Sequence, residues 1–412
     1  MAAQNEPERR TEVPGANFPP LASGRMDRLP PYLFGSINAL KMKLRRAGND
    51  VIDLGMGNPN DPTPPVIVDK LREAVGDKRN QRYSVSQGIF NLRKEFSLYY
   101  ERTRGVALNP ESEVIATLGS KEGFSHLCLA ILGPGDLVLT PTPTFPIHIY
   151  GPVIAGANVV GVSMEGSDEQ LLKRIADMCV TISPRPKVVV LNFPHNPTTR
   201  VVELSFFEEV VKLARRYGFY IIHDYAYGLT TYDGYQAPSI LQVPGAIELA
   251  AETFTMSKGY NMAGWRIGFT AGNKKMIKLL ADIKGYYDYG VFQAVQIATV
   301  IALRHCDEAM KAQSELYQQR RDVLCDGLNR SGWSVTPPKA TMFVWARIPE
   351  AYRSLGSIEF ATQCLSKADV AVSPGLGFGD EGEGYVRIAL VENEERLKQA
   401  VRQMRRAFPC EG

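Results

Sequence analysis

The chain reads as an α/β protein, with a large domain built on a mainly parallel sheet, helices on both faces, and a smaller α+β domain after it. Three observations predict this. Short β-branched runs alternate with amphipathic segments from about Val51 onward, the signature of repeated strand, helix, strand units. A length of 412 residues with 44% hydrophobic and 22% charged side chains suffices for one large core and a second, smaller one. After about Gln293 the texture changes to a long helical stretch followed by alternating segments.

Taken in order, the first two dozen residues read as a flexible tail, rich in Pro, Gly and charge, with order beginning near DRLPPYLF. VIATL, DLVLTP, NVVGV, KVVVLNF, FYIIHD and ETFTM read as buried strands. In GSKEGFSHLCLAIL, Ser120 is the expected N-cap, and Phe124, Leu127, Cys128 and Ile131 share one helical face. LSFFEEVVKLARRYG places Phe206, Val210, Leu213 and Tyr217 on one face and stops at Gly218. From Ala294 to Gly332 the pattern is that of one long helical stretch, and TMFVWARI and YVRIAL follow as alternating segments.

Composition excludes several functions. With 47 basic and 44 acidic side chains the formal charge is +3, and no run of Lys or Arg concentrates it into a nucleic-acid footprint. Cys128, Cys179, Cys306, Cys325, Cys364 and Cys410 form no CxxC pair, which fits reduced thiols in the cytoplasm and no zinc site. His126, His148, His195, His223 and His305 show no metal-ligand spacing either, and His223 is expected to pack beside the sheet end. The first residues lack the apolar core of a signal peptide. FSHLCLAILGPGDLVLTP is cut by Gly133, Pro134, Gly135 and Asp136, so no membrane span is expected.

Open α/β sheets bind ligands at the carboxyl ends of their strands, and each end here carries something. ETFTM delivers Ser257 and Lys258, with Arg266 further on. A lysine partly withdrawn from water beside another cation has a lowered pKa, and a neutral amine can condense with an aldehyde. VIATL leads to Gly119, Ser120 and Lys121 at a helix start, whose free N–H groups suit a phosphate. KVVVLNF delivers Asn196 in a Pro-flanked turn, and FYIIHD delivers Asp224 and then Tyr227. Singly these are a loop lysine, two caps and a core tyrosine. Together they supply what pyridoxal phosphate demands: an amine, a carboxylate for the ring nitrogen, donors for the phenolic oxygen, Phe145 for the ring face, and a cationic phosphate cup.

In this order, GSKEG, PTPTFP, NPTT, HDYAY, SK and R, the chain resembles the class I aminotransferases of pyridoxal-phosphate fold type I from about Met26 to its end. The resemblance implies a mainly parallel seven-stranded sheet, and a division into a tail (1–25), a segment joining the small domain (26–57), a large cofactor-binding domain (58–295) and a small domain (296–412). Pyridoxal 5′-phosphate is implied as cofactor, and amino acids and 2-oxo acids as substrates in a ping-pong exchange. Lys258, Asp224 and Tyr227 take the catalytic roles. Gly119, Ser120, Lys121, Phe145, Asn196, Thr255, Ser257 and Arg266 join them around the cofactor. Gly57, Asn196 and Arg387 meet the substrate, Arg387 as a two-bonded fork on its α-carboxylate. Tyr83 stands where the family reaches a neighbouring subunit's phosphate, implying a homodimer. Phe145 replaces the family's Trp or Tyr, and Thr255 its Ser.

Within the family the resemblance is strongest to bacterial alanine transaminases, which exchange amino groups between alanine and 2-oxoglutarate. Arg28, Tyr32 and Lys41 are candidates for the substrate side chain. Other readings stay open: aminotransferases of aspartate, methionine, aromatic amino acids or LL-diaminopimelate, a carbon–sulfur lyase, or a transcription regulator that senses the cofactor. The regulators carry a basic winged-helix module ahead of this fold, for which the tail is too short and too polar.

Overall fold

Seven strands form one sheet in the spatial order Val114–Thr117, Gly268–Gly272, Ala250–Thr255, Tyr220–Asp224, Val188–Asn192, Leu137–Thr142, Asn158–Ser163. The computed structural model describes residues 21–31 and 34–409; most of the expected tail, together with Tyr32 and Cys410, lies outside them. Six of the strands are the runs read from the sequence. The seventh, GFTAG, has a single large apolar side chain and escapes a search for β-branched runs.

That seventh strand is antiparallel to both neighbours, whereas the remaining pairs are parallel. Its first glycine is forced by close approach. A Cβ on Gly268 would lie 2.6 Å from the carbonyl oxygen of Phe254 and 2.8 Å from the backbone nitrogen of Ser120. The reversed direction matters for function: it starts this strand, and Arg266 just before it, at the edge where the parallel strands end.

Successive side chains point to opposite faces, so both faces of the sheet are filled. Val189, Leu191 and Ile221 enter one core, and Val188, Val190 and Ile222 the other. On the first side Phe96, from the helix Phe90–Arg104, stacks on Phe269 at 4.1 Å and meets Phe254 edge-on at 5.4 Å. The helix Leu204–Tyr217 buries Phe206, Phe207, Val210, Val211 and Ala214 there, and Gly218 ends it with φ 77°. On the second side the helix Ser120–Ile131 buries Phe124, Leu127 and Cys128.

A third core joins the two ends of the described chain. Ile52–Asp53 pairs in parallel with Val370–Ala371, and Ile37, Val51, Ile52 and Leu54 pack with residues from Tyr317 onward. Phe343–Arg347, Tyr385–Ala389 and Ser373–Pro374 form an antiparallel sheet in which Arg387 is registered with both Trp345 and Ser373. The long helical stretch expected after Ala294 is two helices, Gln293–His305 and Asp307–Arg330. Cys306, at φ −112° and ψ 22°, leaves the helical conformation between them. Ala298, Val300, Ala302 and Leu303 of the first helix enter the core of the large sheet. The five described cysteines are buried and free, and no described helix is long and apolar enough to cross a membrane.

Phe269 holds the seventh strand to the helix Phe90–Arg104, so Phe269→Ala should cost about 3–5 kcal/mol. Thermal unfolding followed by circular dichroism should show a fall of roughly 3–6 °C. A shift within about 1 °C would mean that this stack does not hold the strand.

Candidate active site

The carboxyl ends of the parallel strands open into a cavity of about 520 Å³ whose walls come from both the large sheet and the third core. It is lined by Ser120, Lys121, Phe145, Asn196, Asp224, Tyr227, Thr255, Ser257, Lys258 and Arg266, with Gly57 and Arg387 opposite. Sheet register produces this convergence. Asn192 pairs with Asp224, Asp224 with Thr253, and both Thr255 and Thr117 with Gly268, so four loops and the start of the seventh strand meet at one edge.

Lys258 leaves the strand Ala250–Thr255 and donates from Nζ to the carbonyl oxygen of Gly57 at 2.6 Å. Burial, aided by the Arg387 and Arg266 guanidiniums, lowers its pKa from the usual 10.5 to about 8. It is therefore a lysine with a substantial neutral fraction near physiological pH. Gly57 must be glycine where it receives this bond, because a Cβ would lie 2.6 Å from the Phe343 ring.

Asp224 is held from two sides, by Thr253 Oγ1 on Oδ1 at 3.1 Å and by His148 Nε2 on Oδ2 at 3.0 Å. His148 is fully buried and bonds through Nδ1 to Thr144 Oγ1 at 2.8 Å. Sequence reasoning missed this histidine as part of the site; its position three residues after Phe145, one helical turn on, was the available signal. Asn192 was missed as well. Its side chain donates to the Asp224 carbonyl at 2.7 Å and accepts the Asn196 N–H at 3.0 Å, tying the two loops together. His223 bonds Glu252 and the Phe193 carbonyl, away from the cavity.

Arg387 donates from Nη1 to Asn196 Oδ1 at 2.7 Å and from Nη2 to the Gly55 carbonyl at 3.2 Å. Its guanidinium lies between the rings of Phe343 and Phe378, at 4.0 and 4.6 Å from their centroids, so its plane is fixed in advance. Tyr227 packs edge-on against Phe343, and burial holds its phenol above the usual range, leaving it protonated and able to donate.

The phosphate-sized corner corrects one expectation. Ser120 is not the N-cap: Gly119, at φ 81° and ψ 163°, takes that position and Ser120 is the first helical residue, with no cap bond from a side chain. The turn needs the left-handed conformation, and a Cβ on Gly119 would lie 2.5 Å from Arg266 Nη2. Free helix-start N–H groups, Arg266, Lys121, Ser257 and Thr255 thus surround a cradle that only glycine leaves open. Lys121, its pKa lowered by burial and by Arg266, also sits 5.5 Å over the Phe145 ring. Glu122 braces the turn from behind, accepting the Leu118 N–H at 2.7 Å and the Lys284 ammonium at 3.0 Å. Glu122, His126 and Asp288 are the group of described residues close enough to share a metal, but buried Lys284 already places its cation among them. An amine, a held carboxylate, a ring face and an anion cradle in one cavity fit a phosphorylated aromatic aldehyde.

Two expected residues lie outside the cavity lining of this chain, and a third outside the described residues. Tyr83 is 86% exposed, outside the cavity, and leans on Tyr289 at 4.8 Å. Arg28 spends its guanidinium on the carbonyls of Gly156 and Ala157, away from the cavity lining, because those carbonyls precede an edge strand and face it. Tyr32 lies outside the described residues. Lys41 does line the cavity.

Residues 49–404 match the family described as aminotransferase class I and II. The chain is 51% identical over 391 residues to the glutamate-pyruvate aminotransferase AlaC of Escherichia coli, covering 94% of each. It is 41% identical to the LL-diaminopimelate aminotransferase of Moorella thermoacetica, covering 93% of this chain and 97% of that one. Among solved structures, substrate-bound BacF from Bacillus subtilis superposes with a TM-score of 0.88 at 30% identity, over 95% of this chain and 99% of that one.

In cofactor-free protein, acylation of Lys258 by an amine-selective reagent should follow a titration centred near pH 8. Arg387→Ala should move that midpoint upward, since removing a nearby cation favours the ammonium, yet not to 10.5, because burial is the larger cause. A downward shift, measured by mass spectrometry of the labelled peptide, would contradict this electrostatic account.

Proposed function

The chain belongs to the class I and II aminotransferase family, and we propose that it moves an amino group between L-alanine and 2-oxoglutarate, giving pyruvate and L-glutamate. The observation that supports this pair is the likeness to the Escherichia coli glutamate-pyruvate enzyme, stronger than that to the diaminopimelate enzyme. The cofactor is pyridoxal 5′-phosphate. When bound, it supplies a carbon that accepts the amino group and a cationic ring that takes up the electron pair left as the α C–H bond breaks.

The chain's own groups would do the rest. Gly119, Ser120, Lys121, Thr255, Ser257 and Arg266 would hold the phosphate, Phe145 would cover the ring, and Asn196 with Tyr227 would meet the phenolic oxygen. Asp224 would keep the ring nitrogen protonated, its carboxylate held in position for that task by His148 and Thr253. Arg387 receives the α-carboxylate as a planar fork, already oriented by Asn196, while Phe343 and Phe378 exclude water around it. Lys258 Nζ would take the α-proton and hold it for return, a task that its lowered pKa permits. The Gly57 carbonyl, which accepts from Nζ, holds the free amine in the cavity.

The second subunit supplies what one chain lacks. Tyr83 and Tyr289 lean on each other in the open, and Tyr286, Tyr287 and Phe292, close to Tyr289 in sequence, are exposed as well. These exposed rings support a homodimer in which Tyr83 reaches the partner's phosphate. The free, buried cysteines fit the cytoplasm.

With 2-oxoglutarate as acceptor, alanine should give a higher kcat/KM than aspartate, an aromatic amino acid or LL-diaminopimelate; a higher value for any of these removes the alanine assignment. Arg387→Ala should lower kcat/KM for every donor by about a hundredfold or more, and Arg387→Lys should recover little. Near-normal kcat/KM in Arg387→Ala would remove its role. Sedimentation at assay concentration should give a dimer, and Tyr83→Ala should weaken cofactor retention; a fully active monomer would rule out the shared site.

A further inference from the structure

Five cations line the cavity, and four of them have a task in the scheme above. The fifth is Lys41, on the helix Phe34–Arg46. Its side chain is 10% exposed, and Nζ donates to Asp53 Oδ2 at 2.6 Å and to Asn38 Oδ1 at 3.0 Å. An ammonium has three donors, so these two acceptors among the described residues leave one N–H for the cavity. Asp53 Oδ2 also lies 3.9 Å from Arg45 Nη2. Lys41, Arg45 and Asp53 together therefore carry one positive charge in excess, and Asp53 keeps a cationic neighbour if Lys41 turns away.

The same segment leads to Arg387. Asp53 Oδ1 accepts the Gly55 N–H at 3.2 Å, and the Gly55 carbonyl accepts Arg387 Nη2 at 3.2 Å. Lys41 and Arg387 thus bracket residues 53–55 and line the same cavity.

We propose that Lys41 receives the distal carboxylate of a dicarboxylic substrate whose α-carboxylate lies on Arg387, and so lets one cavity serve both glutamate and an amino acid with an apolar side chain. The inference rests on the transaminase reading above. With alanine bound, Lys41 stays on Asp53 and Asn38, and the excess charge falls to Arg45, whose side chain is 42% exposed to water. With glutamate or 2-oxoglutarate bound, its third N–H and the excess positive charge pair with the incoming carboxylate, while Arg45 retains Asp53. A cavity with a fixed arginine in this place would pin an unneutralised charge against alanine's methyl group; a lysine already paired with an acid avoids that cost.

The test is a comparison of half-reactions in the cofactor-loaded enzyme, with Lys41→Met, Lys41→Arg and the double variant Lys41→Met/Asp53→Asn. Lys41→Met should raise KM for glutamate and 2-oxoglutarate by about tenfold or more, with a much smaller rise for alanine and pyruvate, and Lys41→Arg should recover part of the loss. The double variant removes the carboxylate that Lys41→Met leaves with only Arg45 at 3.9 Å, so it carries the measurement if the single variant does not fold. Equal rises for both substrate classes, or a KM for glutamate within about twofold of wild type, would overturn the role of Lys41. A wild-type enzyme that turns over glutamate but not alanine would instead overturn the substrate pair and leave the Lys41 comparison decisive on glutamate. One that takes neither glutamate nor 2-oxoglutarate would overturn both.

Discussion

Register in the seven-stranded sheet is the constraint on which the site depends. Asp224, Asn192 and the strand that leads to Lys258 reach one edge only because neighbouring strands are paired residue for residue, and Thr255 and Thr117 both face Gly268. A slip of one residue would turn Asp224 to the opposite face of the sheet. The antiparallel strand is the less obvious part of this arrangement. Were it parallel, Arg266 would begin at the far end of the sheet and the phosphate cradle would lack its arginine.

Charge is the second organising fact. Lys41, Lys121, Lys258, Arg266 and Arg387 share the cavity with two acids, Asp53 and Asp224, the latter held by His148 and Thr253. Such crowding of cations would be unfavourable in an empty interior, yet it suits a site that receives a phosphate and a carboxylate. The same crowding lowers the pKa of Lys258 and Lys121, although burial is the larger cause in both. Binding of anions and activation of the lysine are therefore linked by the same groups.

Much of this was legible in the sequence. Six strands stand out because buried parallel strands are continuous apolar runs, and their ends identify Asn196, Asp224, Tyr227 and Lys258 without reference to coordinates. GFTAG escaped because its glycines serve close backbone approach, which leaves no hydrophobic pattern. The break at Cys306 escaped because the apolar periodicity runs through it; only backbone dihedrals reveal it. His148 and Asn192 act through other residues, and pairwise hydrogen bonds of that kind carry no local signature. Ser120 was read as a cap because serine prefers that position, whereas here the strained turn required glycine and moved the cap back by one residue.

The pairing of Ile52–Asp53 with Val370–Ala371, and the bond from Arg387 to Gly55 across 332 residues of sequence, also set an order of events during synthesis. The large sheet closes with residue 272, so it can take shape while the remainder of the chain is still being made. The wall that carries Gly55 and Gly57 cannot, because its partners, Val370–Ala371 and Arg387, leave the ribosome well after that sheet. A nascent chain stopped before Arg387 would carry Lys258 at the end of its strand with no guanidinium on the opposite wall.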